Sequence, residues 1–341
     1  MSLPAEARKV LVMELAGLGD NVHLIPALWL VRRQWPEAKL HLMVNSHVAS
    51  LFKVTPWVDR LWQYPSSPKP GVIESLKWAE NLHRESFDVV VNTTGSDRSS
   101  MITSATRAKV RFGRRPADGG PPGWSLLFTD VMEYPHYQEP MYLQKWQCLR
   151  RAGFGSAADN PEFHVEIDPG LRAAAGIAPV DERRYIHVSA FTTANERELP
   201  VEQVADLVAR LRAANPALRI VLSCAANARE RAKLKDLLRL LREPPWQVYS
   251  GTLGADALAA VIEKSALSLS GDTGSLHLAM MTRAPAVAWF RTHRGEKEWI
   301  PEGEQYRVLI SEGGSTDALH GIDTHQLLRA CSEVLAAGAR A

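Results

Sequence analysis

Short apolar runs, each followed by small residues and then by a helix-like segment, recur through both halves of this chain. The runs lie at residues 10–13, 40–44 and 88–91 in the first half, and at 185–188, 219–223, 248–249, 267–270 and 286–290 in the second. Runs of this length, separated by amphipathic segments, indicate parallel β-strands joined by crossover helices. The pattern predicts an α/β fold with two doubly wound parallel sheets.

The length of 341 residues suggests two domains, at roughly 150 residues each. Proline-rich turns at 168–170 and 178–181 bracket the expected boundary. We assign residues 1–170 to an N-terminal Rossmann-like domain and 171–341 to a C-terminal one. The pattern leaves open whether the last helix, 324–337, packs on the second domain or back on the first.

Charge and cysteine content exclude several classes of protein. The net charge is +2, with 40 basic and 38 acidic residues spread along the chain, which gives no nucleic-acid-binding stripe. Cys148, Cys224 and Cys331 lie far apart, so neither a disulfide framework nor a zinc site is supported and a reducing cytoplasm is expected. No stretch approaches the roughly 20 apolar residues of a membrane span, so any membrane contact is expected to be peripheral.

The run Ser270–Ala279, SGDTGSLHLA, places glycines and hydroxyl groups between an apolar strand and a helix. Such a turn presents backbone N–H groups and the positive end of a helix dipole to an anion. Thr273 and Ser275 add hydroxyl donors. The run predicts a cradle for the phosphates and ribose of a nucleotide. The alternative is that Asp272 or Thr273 only caps the helix and that His277 is a core histidine.

A second turn of this kind, Ser189–Pro200, also follows a strand and precedes a helix. Thr192 and Thr193 can donate hydroxyl hydrogen bonds to a phosphate, and the guanidinium of Arg197 can neutralise a diphosphate. An ordinary capped loop with an exposed arginine is the alternative.

In the first half, Gly17–Asp20 (GLGD) follows the opening strand, at the sheet edge where doubly wound folds bind ligands. The dinucleotide fingerprint GxGxxG would need glycine where this chain has Val22, so hydride transfer is disfavoured. Asp20 fits two roles, a helix cap or a general base facing a cleft between the domains.

The loop 113–123 is too rich in glycine and proline for regular structure and predicts a mobile flap. The basic residues in and near it are Arg98, Arg107, Lys109, Arg111, Arg114 and Arg115. Guanidinium groups would suit an acceptor that carries phosphate or carboxylate groups. A solvated basic face beside a disordered loop is the alternative.

Together these motifs resemble glycosyltransferase family 9, the lipopolysaccharide heptosyltransferases, which have the two-domain GT-B fold with a cleft between Rossmann-like domains. The resemblance spans most of the chain. It rests on Gly17–Asp20 with the following Pro26-Ala27-Leu28, the strand region 36–44, Thr192-Thr193 with Pro200, and Gly271–Gly274 with His277. The last of these motifs is the most specific to the family.

The resemblance implies an inverting transfer of a heptose from ADP-heptose to a lipid-linked inner-core lipopolysaccharide acceptor, in the cytoplasm or at the cytoplasmic face of the inner membrane. Asp20 would be the general base, and Arg197 would stabilise the leaving diphosphate. The residues implied to contact the nucleotide are Thr192, Thr193, Leu253 near the adenine, Asp272, Thr273, Gly274 and His277, with Glu230 a looser candidate for the ribose. The nucleotide sugar is a substrate, so no cofactor is expected, and without a DxD motif no metal is implied.

Two residues depart from the family pattern. Arg197 stands where the family usually has lysine, and Leu199 where it usually has tryptophan, so the phosphate contacts differ in geometry. The alternatives are a GT-B glycosyltransferase with another nucleotide sugar or a protein acceptor, and a non-catalytic nucleotide-sugar-binding protein; a GT-B-like epimerase is more distant. Asp20 favours an enzyme, because binding at the other domain does not require it.

Overall fold

A computed structural model describes residues 3–65, 70–163, 165–314 and 318–338. The chain divides into two compact units, Met1–Glu166 and Ile167–Ala341, and each contains its own six-stranded sheet. Every pair of neighbouring strands in the two large sheets is parallel. The predicted α/β class with two doubly wound parallel sheets is confirmed.

The first unit has the strand order β3-β2-β1-β4-β5-β6. Its strands are β1 (Lys9–Glu14), β2 (Lys39–Asn45), β3 (Arg60–Tyr64), β4 (Val89–Asn92), β5 (Val110–Arg114) and β6 (Asp130–Met132). Its helices are α1 (Leu18–Val22), α2 (Ile25–Gln34), α3 (Val72–Arg84), α4 (Asp97–Ala105) and α5 (Met141–Arg151). The sheet grows in one direction from β1 to β3 and in the other from β4 to β6, so the order reverses beside β1.

The amphipathic pattern after Gly17–Asp20 predicts one helix from about Val22 to Arg33, and this prediction was wrong at its start. The structure has two helices, α1 and α2, separated by His23 and Leu24. Pro26 lies in the first turn of α2, where its missing N–H costs no hydrogen bond and its fixed φ favours the start of a helix. The short α1 therefore carries Asp20 on a separate turn directly after β1.

The second unit has the strand order β12-β11-β10-β7-β8-β9. Its strands are β7 (Tyr185–Ser189), β8 (Arg219–Cys224), β9 (Gln247–Ser250), β10 (Leu267–Gly271), β11 (Ala286–Arg291), β12 (Tyr306–Ser311) and an antiparallel pair, β13 (Gly313–Gly314) and β14 (Leu319–His320). Its helices are α6 (Pro169–Ala174), α7 (Val201–Ala214), α8 (Ala228–Leu240), α9 (Ala255–Glu263), α10 (Gly274–Met281) and α11 (Thr324–Gly338). This sheet reverses its order between β7 and β10.

The segment at which the sequence placed the boundary, 168–182, forms regular structure within the second unit. Asp168 caps α6 by accepting a hydrogen bond from the Gly170 N–H at 2.8 Å, and Pro179 starts a 3₁₀ turn. The last helix, α11, packs against α7, β11 and β12 of the same unit. None of the helices in the described ranges is both long and apolar enough to cross a bilayer.

The strands that lead to the candidate sites are buried along their length. Every residue of β7 and β10 is buried, as are the residues of β1 from Val10 to Glu14. Continuous burial is typical of parallel strands that are covered by helices on both faces. The loops after these strands therefore start from rigid points in the two cores.

Candidate functional site

The predicted motifs lie where each sheet reverses its strand order. Gly17–Asp20 follows β1, next to β4. In the second unit, the loop that contains Thr192 follows β7, and Asp272 follows the neighbouring strand β10. The carboxyl ends of parallel strands at such a reversal leave a crevice in which doubly wound folds bind ligands. Both units thus place a polar loop cluster at the expected position.

Asp20 lies in the first turn of α1 and is half-buried. Burial raises the pKa of its carboxyl group, and the charge of Glu14 adds to this, while the charges of Lys145 and Arg114 and a hydrogen bond from the Gly17 backbone act against it. The hydrogen bond to Gly17, the N-cap residue, gives Asp20 a capping role. A carboxylate with a raised pKa and partial exposure also suits a general base.

A buried ion pair, which was not predicted from the sequence, lies next to this turn. Lys145 of α5 donates to Glu14 Oε2 at 2.7 Å, and the two side chains are 0% and 1% exposed. Hydroxyl groups of Thr93 and Thr94 donate to the same carboxylate at 2.7 and 2.9 Å. Burial acts to raise the pKa of Glu14, but the Lys145 charge and the hydrogen bonds hold it below its ordinary value.

A signal for this pair was present in the sequence. Glu14 ends a strand whose preceding residues are apolar, and Lys145 lies on the buried stripe of α5, with Met141, Cys148 and Leu149. A charged residue at such a position is seldom fully buried unless it is paired. The pairing partner, however, lies 131 residues away in the chain and could not be identified from spacing.

Three members of the predicted basic set around 113–123 have separate partners in the structure. Arg111 donates to the carbonyls of Ala108 and Leu127, and Arg115 pairs with Glu133 at 2.6 Å. Arg114 lies 4.5 Å over the ring of Tyr134, and its charge acts on both Glu14 and Asp20. Arg114 is thus the member of the set whose charge acts on Asp20. The loop itself is fastened by Trp124, whose indole N–H donates to Ser100 Oγ at 2.9 Å.

In the second unit, the structure brings the two predicted anion-binding turns together. Arg197 Nη1 lies 3.2 Å from Asp272 Oδ2, with side-chain exposures of 44% and 10%. Burial raises the pKa of Asp272, and the charges of Arg197 and His293 oppose that shift. The guanidinium therefore stands beside the turn that begins α10, exposed enough to meet a ligand.

The buried carboxylate of Glu198 holds the first of these turns, the loop that contains Thr192, by hydrogen bonds. Its carboxylate accepts from the Thr192 backbone N–H at 2.6 Å, from both terminal nitrogens of Arg229 at 2.9 and 2.8 Å, and from Lys233 at 2.5 Å. Arg229 also donates to the Thr192 carbonyl at 2.6 Å and to Asn195. Glu198 is fully buried, so this network stabilises the backbone conformation of the loop.

The remaining predicted nucleotide contacts lie in different environments. Thr192 is buried, and its hydroxyl donates to the Ala194 carbonyl at 2.9 Å, whereas Thr193 is exposed. Thr273 is the N-cap of α10 without a side-chain capping bond, and both it and Gly274 are partly exposed. His277 is buried against Trp299, and burial lowers its pKa to about 4, so its ring is neutral at pH 7.

The two other candidates, Leu253 and Glu230, make packing and hydrogen-bond contacts within the second unit. Leu253 packs beside Trp246 and Tyr249 against a small apolar cluster that includes Tyr185. Glu230 lies in the first turn of α8, where its N–H donates to the N-cap Asn227 Oδ1 at 2.8 Å. Its carboxylate accepts from Asn227 Nδ2 and the Ala225 N–H, each at 2.8 Å. The N-x-x-E spacing that produces this cap was visible in the sequence.

Gly271, at the end of β10, lies close to the loop that contains Thr192 and Arg197. A Cβ atom there would lie 3.0 Å from the Arg197 carbonyl oxygen, 3.0 Å from Trp289 Nε1 and 3.1 Å from Thr192 Cγ2. We expect Gly271→Ala to push the turns apart, to destabilise the unit by about 1–2 kcal/mol and to weaken nucleotide binding. Urea unfolding and ADP titration measure both effects. Gly71→Ala is the control, because its Cβ would meet no atom of the described residues within 4 Å. Equal behaviour of the two variants would contradict the close packing around Gly271.

Comparisons with known proteins show which proteins this chain resembles. Lipopolysaccharide heptosyltransferase 1 of Escherichia coli K12 is 22% identical over 287 residues, which cover 82% of this chain and 86% of the relative. The structure of E. coli ADP-heptose lipopolysaccharide heptosyltransferase II is similar with a TM-score of 0.78 at 18% identity, over 97% of this chain and 99% of that one. That of E. coli heptosyltransferase WaaC with ADP-2-deoxy-2-fluoro heptose has a TM-score of 0.73 at 18% identity, over 95% and 99%.

These structural likenesses confirm the GT-B fold. The sequence profile described as glycosyltransferase family 9 (heptosyltransferase) matches residues 75–326, which is well over half of the chain. The match includes both turns of the second unit and the Lys145 helix. The chain therefore belongs to glycosyltransferase family 9, the heptosyltransferase family, and is a heptosyltransferase-like glycosyltransferase.

Proposed function

We propose that this glycosyltransferase moves a heptose from ADP-heptose to an inner-core lipopolysaccharide acceptor, with inversion at the anomeric carbon. The observation that carries the proposal is the pairing of Arg197 with Asp272 at the start of α10, 3.2 Å apart, at the reversal point of the second sheet. A relative of similar fold is described with ADP-2-deoxy-2-fluoro heptose. That relative supports the choice of an ADP-linked heptose.

The donor diphosphate would bind between the Thr192 loop and the N-terminus of α10. There it meets the backbone N–H groups of the helix start and the guanidinium of Arg197, which carry positive charge toward the leaving group. Thr273 and Gly274 are partly exposed at this helix start, and His277, neutral at pH 7, offers a hydrogen bond rather than charge. We propose that these groups stabilise the diphosphate without a metal ion.

Asp20 would act as the general base. Its carboxylate takes the proton of the acceptor hydroxyl, the acceptor oxygen forms a bond to the anomeric carbon, and the bond from that carbon to the diphosphate breaks, releasing ADP. The raised pKa of Asp20 places its proton affinity closer to that of a working base than an exposed aspartate would have. Arg114, whose charge acts on Asp20, is a candidate contact for an anionic group of the acceptor.

The lipid-linked acceptor places the reaction, in this proposal, at the cytoplasmic face of the inner membrane, with peripheral contact. A lipid A–Kdo acceptor and a panel of ADP-, UDP- and GDP-linked sugars test the substrates, with product masses as the measurement. We expect product from ADP-heptose, with and without EDTA. Product from a UDP- or GDP-sugar alone would show that the donor is that nucleotide sugar and not ADP-heptose. Absence of product with every donor would favour the alternative of a non-catalytic nucleotide-sugar-binding protein.

Arg197→Ala isolates the contribution of the guanidinium. Because Arg197 is partly exposed, we expect a modest loss, about tenfold in ADP affinity, which corresponds to roughly 1.4 kcal/mol. Calorimetric titration measures the change. Arg239→Ala is the matched control, since Arg239 forms an arginine–aspartate pair with Asp236 at 2.8 Å on α8 of the same unit. ADP affinity that is equal in the two variants would remove Arg197 from the diphosphate site.

A further inference from the structure

Lys145 touches both the strand that precedes the Asp20 turn and the turn itself. Its ammonium group donates to Glu14 Oε2 and to the backbone carbonyl of Asp20, each at 2.7 Å. Neither Lys145 nor Glu14 is open to solvent. One cation on α5 therefore ties the end of β1 to α1.

Fold stability is a poor explanation for such a pair. Taking two charges out of water is costly, and well-packed apolar residues of the same volume often stabilise a core equally well or better. This pair also needs two threonine hydroxyls, from Thr93 and Thr94, to complete the hydrogen bonds of its carboxylate. Lys145 of this pair also contacts the backbone carbonyl of the half-buried Asp20, which points to a role in orienting that residue.

We propose that Lys145, held by Glu14, is a positioning residue that orients the Asp20 turn and balances the charge around the Asp20 carboxylate. The inference rests on the proposed function of Asp20 as general base. Lys145 does not contact the reacting atoms in this account. It acts through the Asp20 carbonyl and through the field of its charge.

The groups that act on Asp20 come from four elements. They are Glu14 at the end of β1, Lys145 on α5, Arg114 at the end of β5 and the Gly17 N–H at the start of α1. On the same side, His23, directly after α1, accepts a hydrogen bond from the Tyr142 N–H of α5 at 3.2 Å. Among the side chains, Glu14 and Lys145 have opposite effects on the proton affinity of Asp20, which makes their contributions separable.

The direction in which each substitution shifts the Asp20 pKa follows from these charges. Lys145→Met removes a positive charge, so the Asp20 pKa rises and the acidic limb of the kcat/KM profile moves to higher pH. Glu14→Gln removes a negative charge and leaves Lys145 in place, so the limb moves to lower pH. We expect shifts of about one pH unit in each direction, at the low end for a nearby charge, because both charges act on the Asp20 carboxylate through space. The double variant Glu14→Gln/Lys145→Met should return the limb close to its original position.

The experiment measures kcat/KM against pH for the full chain with ADP-heptose and a lipid A–Kdo acceptor. Lys9→Met is the matched control, because Lys9 pairs with Glu85 at 2.9 Å at the opposite end of β1. The acidic limb of its kcat/KM profile should stay at the original pH. Circular dichroism checks that each variant is folded. If Lys145→Met does not fold, the downward shift in Glu14→Gln decides the question.

Opposite shifts in the two single variants, with the double variant near the starting profile, support the positioning role. Limbs that stay in place in folded Glu14→Gln and Lys145→Met would overturn it, even if both variants lose activity. Failure of the proposed function has a different signature, since Asp20→Asn would then keep its turnover.

Discussion

Asp20→Asn is expected to lower the rate constant for heptose transfer by about 10³-fold, because a positioned general base contributes on the order of 10²–10⁴-fold. Asparagine keeps the size of the side chain and can still accept the hydrogen bond from the Gly17 backbone that Asp20 accepts in α1. The structural cap is thereby preserved while the ability to take a proton is lost. Single-turnover transfer measures the rate constant, and ADP titration is expected to be unchanged.

The matched control is Asp97→Asn, since Asp97 is also an acid in the first turn of a helix of the first unit and is exposed. It should transfer at the original rate. Full turnover in Asp20→Asn would leave Asp20 as a helix cap only, and the base would have to be sought elsewhere. Weakened ADP binding in this variant would indicate a structural effect instead.

Glu198→Ala is expected to have the largest effect on the second unit. It removes the shared acceptor of the Thr192 N–H, Arg229 and Lys233, and it leaves two partly buried cations without their carboxylate. We expect the free energy of unfolding to fall by about 3 kcal/mol, at the low end for a broken buried pair because both cations can reach solvent. ADP affinity should fall as well, because the Thr192 loop is no longer held.

Hydrogen exchange of a peptide that covers 190–200 measures the local effect, and urea unfolding the global one. The control is Glu196→Ala, in the same loop, since Glu196 makes no side-chain hydrogen bond or ion pair with the residues that the structure describes. Exchange and stability that match this control would show that Glu198 does not organise the loop.

The parts of this site that follow directly from local sequence were predictable. A buried strand followed by small and hydroxyl residues placed the Thr192 loop and the Asp272 turn, and the structure brings them to neighbouring strands. Gly17–Asp20 was placed after β1 for the same reason. Parallel strands bring their loops to one edge of the sheet, so local patterns predict that edge. The strand order that makes β7 and β10 neighbours is set by the fold as a whole.

The charge networks were not predictable in the same way. Glu14 and Lys145 are 131 residues apart, and Glu198 meets Lys233 across 35 residues that include α7 and β8. Which cation completes a buried carboxylate depends on helix packing, which residue spacing does not encode. The basic set at 98–115 shows the converse, because proximity in sequence predicted a shared site, whereas Arg111, Arg114 and Arg115 have separate partners in the structure.

Calorimetric titration of the protein with ADP, UDP and GDP, first in EDTA and then with magnesium, measures which nucleotide binds and whether binding needs a metal ion. We expect selective binding of ADP in EDTA, with little change when magnesium is added, because Arg197 and the α10 N-terminus would carry the phosphate charge. Selective binding of UDP or GDP, or binding that requires magnesium, would contradict the metal-independent ADP-heptose site proposed for the second unit.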